Sequence, residues 1–200
     1  MATRAAVPRS VGALKAACDA CRDCPLGEPA TQAVVGAGPR RARLMVVGEQ
    51  PGDREDLAGQ AFVGPAGRLL DAALQRAGID RGAVFLTNAV KHFGFTWRGK
   101  RRLHKTPGQR EVDACLQWLQ AEIAFVAPQA FVALGATAAR ALLGRPTPVL
   151  RNRGQWLARD DGRPVLVTVH PSALLRLRGD DFAQGLAAFV DDLGQAAGRA

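Results

Sequence analysis

The chain has 200 residues, of which 48% are apolar and 22% charged. That is the composition of a folded protein large enough to need no disulfide staples, and it excludes wholesale disorder. Twenty-seven Lys and Arg against 18 Asp and Glu leave a net charge of +9. Such an excess favours a polyanionic partner such as nucleic acid, although Arg and Ala richness without any function produces the same figure.

No run approaches the roughly 18 uninterrupted apolar residues of a membrane span, so no membrane partner is expected. Arg4, Pro8, Arg9, Lys15 and Asp19 interrupt the start of the chain, which leaves no apolar core for a secretory signal. The expected location is the cytoplasm, where thiols stay reduced.

Residues 1–10 are expected to be ragged. Residues 43–47 (RLMVV) read as a strand buried on both faces and ending at Gly48. Residues 66–77 place Leu69, Leu70, Ala73 and Leu74 on one helical face, and Gly78 stops the helix. Residues 83–87 (AVFLT) are a second strand. A long loop follows, from about Asn88 to Thr106. Pro107 opens a helix to about Val126, with Thr106 as N-cap. Residues 129–134 (QAFVAL) are a third strand, followed by a short helix over 136–143. Residues 145–163 form a long connection with room for an added strand near Trp156. Residues 164–169 (PVLVTV) are a fourth strand, and a helix from about Asp180 to Leu193 closes the chain.

Alternating strands and helices predict a single domain over 1–200, with an α/β three-layer sandwich around a mostly parallel four-stranded sheet. Each strand runs straight into a polar segment. The first ends in Gly48-Glu49-Gln50-Pro51-Gly52-Asp53, the second in Asn88-Ala89-Val90-Lys91-His92, the third in Gly135-Ala136-Thr137 and the fourth in His170-Pro171-Ser172. In a parallel sheet these ends share one edge, where open α/β folds bind ligands. Glu49, Gln50, Asp53, Asn88, His104 and His170 could thus line one cleft. Capping and turn roles explain Asp53 and Ser172 equally well.

The loop segment 91–110 carries seven Lys and Arg and no acidic residue, with Phe93, Phe95 and Trp97 at alternate positions. Basic groups neutralise phosphates and aromatic faces stack bases. The plainer alternative is a solvated basic loop with its aromatics turned inward.

Cys18, Cys21 and Cys24 follow C-x2-C-x2-C spacing with Pro25 behind, and Cys115 stands apart. In a reducing compartment this is a metal signal. Structural zinc and an iron–sulfur cluster both suit it, the remaining ligand coming from Cys115 or a histidine such as His92. Gly36-Ala37-Gly38 starts like a dinucleotide fingerprint, but Arg41 stands where the third Gly belongs. No H-x-E precedes a P-C-x-x-C, which argues against a zinc deaminase.

Taken together, Gly48-Glu49-Gln50-Pro51-Gly52, Thr87-Asn88-Ala89-Val90-Lys91 and His170-Pro171-Ser172 resemble the motifs of the iron–sulfur uracil-DNA glycosylases, the type-4 group. Three details resemble the X-type branch, UdgX. Gln50 follows the Glu, His92 stands where type-4 enzymes have a cluster cysteine, and Lys100-Arg101-Arg102-Leu103-His104 is similar to the branch's K-R-R-I-H loop.

The resemblance implies a [4Fe–4S] cluster on Cys21, Cys24, His92 and Cys115, with Cys18 the alternative to His92. It implies a monomer that acts on uracil-containing DNA, single strands included. Gly48, Gln50, Asp53, Phe62 and Asn88 would bind the uracil. Glu49 and His170 would serve excision, and His104 would attack C1′ to leave a covalent adduct. Lys100, Arg101, Arg102, Ser172 and Arg176 would contact DNA, and Asp56, with Gln50 as a further candidate, would support the loop. The alternatives are a conventional multiple-turnover glycosylase, a uracil-DNA-binding module without chemistry, and a zinc-containing nucleic-acid binder.

Overall fold

The computed structural model describes residues 10–200. The expected ragged start therefore lies, Ser10 apart, outside the described residues. In chain order the elements begin α1 (Val11–Asp19), β1 (Leu44–Gly48), α2 (Asp53–Ala58), α3 (Pro65–Arg76) and β2 (Phe85–Asn88). Next come β3 (Phe95–Arg98), β4 (Arg101–His104), α4 (Gln109–Val126), β5 (Ala130–Leu134) and α5 (Ala136–Leu143). The last are α6 (Val149–Asn152), β6 (Gln155–Ala158), β7 (Pro164–Thr168), α7 (Pro171–Leu174), α8 (Gly179–Gly194) and a 3-10 turn at Ala197–Arg199.

The main sheet has five strands in the order β2-β1-β5-β7-β6. All neighbours are parallel except β6, which pairs antiparallel with β7. The count of four expected from the sequence is thus one short: the added strand near Trp156 forms and closes the sheet edge. Strands β1, β5 and β7 are apolar but for Thr168, because helices cover both of their faces, while β2 ends in Thr87 and Asn88. In β1, Met45 and Val47 face a core built with Leu119 and Ile123 of α4 and Leu142 of α5. Leu44 and Val46 face the opposite core, with Leu70 and Leu74 of α3 and Phe189 and Leu193 of α8. This alternation makes the three layers.

Two further expectations are corrected. The segment after β2 is not a plain loop: β3 and β4 form a separate antiparallel hairpin. Helix α4 starts at Gln109 rather than at Pro107, with Gly108 and not Thr106 as its N-cap; the Glu111 side chain accepts from the Gly108 N–H. From β1 the chain steps to β2 on one side and later to β5 on the other. The strand order therefore reverses between β1 and β5, which is where such sheets open a crevice at their carboxyl ends.

Candidate active site

A cavity of about 1000 Å³ opens at that edge and is lined by Glu49, Phe62, Asn88, His104 and His170. Its floor is Gly48, the last residue of β1. A Cβ built there would land on Asn88 Oδ1, come within 2.7 Å of Phe62 Cζ and lie 3.5 Å from His170 Nε2. Three side chains from three separate segments therefore meet over one bare α-carbon. Phe62 has a left-handed backbone, with φ of 59°. Such a conformation is strained for a bulky residue and persists only where its surroundings impose it. The buried Glu55 carboxylate helps by accepting from the Gly64 N–H at 2.7 Å, two residues further on.

Asn88 is held from behind. Lys91, fully buried, donates from Nζ to the Asn88 carbonyl (2.6 Å), to Thr87 Oγ1 (2.9 Å) and to Glu122 Oε2 (2.7 Å). Glu122 Oε1 accepts from the Gly36 N–H at 2.7 Å. A buried charge is tolerable only when paired and hydrogen-bonded, and here every partner is an element that frames Asn88.

His170 caps α7. The Ser172 N–H donates to His170 Nδ1 at 3.2 Å, and Ser172 Oγ lies 2.8 Å from the same nitrogen. Nδ1 is thus an acceptor, so the proton of the neutral ring sits on Nε2, the nitrogen turned toward Gly48. Loss of water around the ring, reinforced by the nearby His104 and Arg176, pushes this imidazole down to about 4. At neutral pH it is an uncharged donor aimed into the cavity.

Glu49 spans the crevice. Its Oε2 accepts from Thr137 Oγ1 at 2.6 Å, and its Oε1 stands 3.5 Å from His104 Nε2. His104 ends β4, and the hairpin that carries it is fastened at two points. At its base, Gln50 Nε2 donates to the carbonyls of Gly94 (3.1 Å) and Lys105 (3.0 Å), and Gln50 Oε1 accepts from the Gly94 N–H (3.1 Å). Further along, Arg102 donates from Nε to Asp53 Oδ1 (2.6 Å) and from Nη1 to Asp56 Oδ2 (2.6 Å). Asp56 is fully buried and also accepts from the Thr31 N–H at 3.0 Å. The Arg102 guanidinium lies over the Phe93 and Phe95 rings, 5.4 and 5.1 Å from their centroids.

The roles expected of Asp53 and Arg102 change accordingly. Gln50 bonds the hairpin through its amide, and Asp53 bonds it rather than pointing a free carboxylate at a base. Arg102 is engaged inside the protein instead of offering itself to phosphates. Lys100, Arg101 and Arg176 remain exposed and line the same cavity, and Asp56 accepts from Arg102 of the hairpin.

The cysteines gather on the far side of Asn88. The Cys115 Sγ accepts from the Lys91 N–H at 3.2 Å, and burial raises the Cys115 thiol to about 11. Cys21 and His92 flank Gly27, whose added Cβ would meet the Cys21 carbonyl at 2.8 Å and His92 Cε1 at 3.4 Å. Burial keeps His92 below the usual imidazole range and raises Cys24. Cys18 is fully buried and packs in an apolar cluster with Leu14, Ala33, Val35 and Ala121. Among the described residues no three His, Cys, Asp or Glu side chains stand close enough to share one metal ion. A cluster differs in that each ligand takes its own iron, and its donor chemistry is thiolate with an occasional imidazole. The set Cys21, Cys24, His92 and Cys115 fits that chemistry.

Thr137, Glu55 and the Lys91–Glu122 pair were not picked out from the sequence. Thr137 had a signal in its place at the end of the third predicted strand. Glu122 had one too, as a carboxylate on the stripe Leu119, Ile123, Val126.

Comparison with known proteins agrees with this architecture. The family model described as the uracil DNA glycosylase superfamily matches residues 35–194. The type-4 uracil-DNA glycosylase of Pyrobaculum aerophilum is 41% identical over 179 residues, covering 84% of this chain and 87% of its own. That of Thermotoga maritima is 39% identical over 165 residues, covering 80% and 81%. That of Archaeoglobus fulgidus is 33% identical over 162 residues, covering 78% of each.

Proposed function

Since the chain belongs to the uracil DNA glycosylase superfamily, we propose that it excises uracil from DNA and is then captured on the sugar through His104, in the manner of the X-type branch. The observation that carries this reading is the meeting of Asn88, Phe62 and His170 over Gly48, with His104 Nε2 facing Glu49 at 3.5 Å on the cavity's open side.

Chemistry on a base requires its removal from the stack. The Asn88 amide offers a donor and an acceptor side by side, which matches uracil N3–H and O4 and mismatches cytosine. Phe62 gives the base a face to lie on. As the C1′–N1 bond breaks, its electron pair moves into the uracil ring. The His170 Nε2–H then donates to O2 of the departing anion, a preorganised contact that strengthens as charge develops. The Glu49 carboxylate, oriented by Thr137, stabilises positive charge at C1′. His104 forms the new bond to C1′ through an imidazole nitrogen, and the ring's proton passes to Glu49 or to water. Lys100, Arg101 and Arg176 take flanking phosphates, and Ser172 orients His170.

Cys21, Cys24, His92 and Cys115 would hold a [4Fe–4S] cluster. When bound, it ties the segment after α1 to the turn after β2 and to α4. Its binding is read directly, as iron and sulfide in protein purified without oxygen.

The second reading is a conventional glycosylase in which water takes the place of His104. The names of the type-4 relatives favour it. Intact-mass measurement after mixing with a short uracil-containing single strand separates the two. Capture gives one species at the summed mass of protein and DNA less uracil, stable to boiling in detergent. Repeated release of uracil with unmodified protein would replace capture by hydrolysis, and an intact glycosidic bond would leave only binding.

A further inference from the structure

The hairpin presents one aromatic side chain that neither the fold nor the excision chemistry uses. Trp97 is 66% exposed, whereas Trp118 and Trp156 are half-buried. Leaving an indole in water forfeits its burial free energy. Its setting is nonetheless well defined. In the β3–β4 register Phe95 faces His104 and Trp97 faces Arg102. Side chains two apart on a strand share a face, so Phe95, Trp97, Arg102 and His104 stand on one side of the ribbon, and all four line the cavity.

Trp97 is the diagonal neighbour of His104, a separation of roughly 7 to 8 Å. Phe95 meets the indole edge-on at 5.5 Å and 90°, which fixes its tilt without covering it. Lys100 and Arg101, both exposed, border the same opening.

We propose that Trp97 is a stacking platform for the base of the nucleotide next to the one entering the cavity, on single-stranded DNA, with Lys100 and Arg101 taking the phosphate between them. This rests on the uracil-excision reading and extends it to a neighbouring subsite. The spacing from His104 is that of the next residue along a strand whose target sugar sits at the imidazole. The ligand is an unpaired base because an indole can cover only a face that is not already stacked and paired in a duplex. Base–aromatic stacking tolerates any sequence, so the subsite confers strand preference rather than sequence preference.

The test uses the full chain and a single-stranded oligonucleotide carrying 2′-fluoro-2′-deoxyuridine, whose glycosidic bond resists cleavage. Trp97→Ala weakens binding about 5- to 150-fold, and Trp97→Phe restores most of it. On oligonucleotides lacking the base on the contacted side of the uracil, the parent chain binds more weakly and Trp97→Ala costs nothing further. Unchanged affinity in Trp97→Ala would overturn the proposal. So would an equal loss with and without the neighbouring bases, since Trp97 would then act on the hairpin or the backbone. A parent chain that releases no uracil from an ordinary uracil strand fails the excision reading itself, an outcome separate from these.

Discussion

Asn88 and His104 face the same cavity, yet they are held in opposite ways. Asn88 is 3% exposed at the end of β2 in the main sheet, its carbonyl held by a fully buried lysine. His104 has a side chain 46% exposed, on a two-stranded ribbon outside the main sheet. The sheet positions the first through backbone ladders that any apolar strand would form. The second depends on particular side chains, Gln50 at the base of the ribbon and Arg102 with Asp53 and Asp56 along it. On the proposed reading, base recognition is thus built into the scaffold, while the group that would attack rides on an attachment that can be loosened without unfolding the domain beneath.

The sharpest way to break this comparison is His104→Ala. It abolishes the detergent-stable adduct and leaves uracil release and an abasic site, because the base pocket is untouched; gel shift after boiling and uracil assay read the two separately. If uracil release vanished as well, His104 would belong to the excision machinery and the division would fail.

Next in size is His170→Ala on the pocket side. Removing a preorganised donor of this kind lowers excision roughly 10²- to 10³-fold in single-turnover assays, with the hairpin still in place. The same residue gives a pH signature. Its folded value of about 4 lies below the ordinary 6.5, so as pH falls the unfolded chain takes up the proton first. The stability His170 contributes is complete above about pH 6.5 and is lost as pH falls toward 4. Urea midpoints at pH 7 and pH 4.5 therefore differ more for the parent chain than for His170→Ala.

The smallest effect is expected from Arg102→Ala. Releasing the ribbon moves His104 from its place, and a misplacement of about 1 Å costs on the order of 10²-fold in a positioned reaction. Adduct formation slows by about 10- to 100-fold while uracil excision changes less. Equal slowing of both would show that the hairpin also shapes the base pocket.

Much of this was legible in the residues. The runs 43–47, 129–134 and 164–169 are short, apolar and bounded by turn signals, so their strands follow from burial alone, to within a residue or two at their ends. The hairpin was not legible by the same route. Its strands are only four residues long, and the alternation of Phe93, Phe95 and Trp97 reads as aromatic faces on a basic loop rather than as a strand. A signal was present in Gly99, whose φ of 59° is what a tight II′ turn asks of its first central residue. Gln50 reads both as a base contact and, with Asp56, as a support of the loop, and the sequence does not decide between them. In the structure Gln50 bonds the ribbon while Glu49 bonds Thr137 across the crevice.

The sequence by itself determined the layer order, the polar edge where four strands end and the residue types that gather there, because period and burial are properties of a local stretch of chain. Only the tertiary structure decided which of those residues bond across the crevice and which fasten the ribbon. That choice depends on partners 40 to 90 positions away, such as Gly94 for Gln50, Asp53 for Arg102 and Thr137 for Glu49. A hydrogen bond between such distant residues is set by how the elements pack, and no local pattern in the chain encodes it.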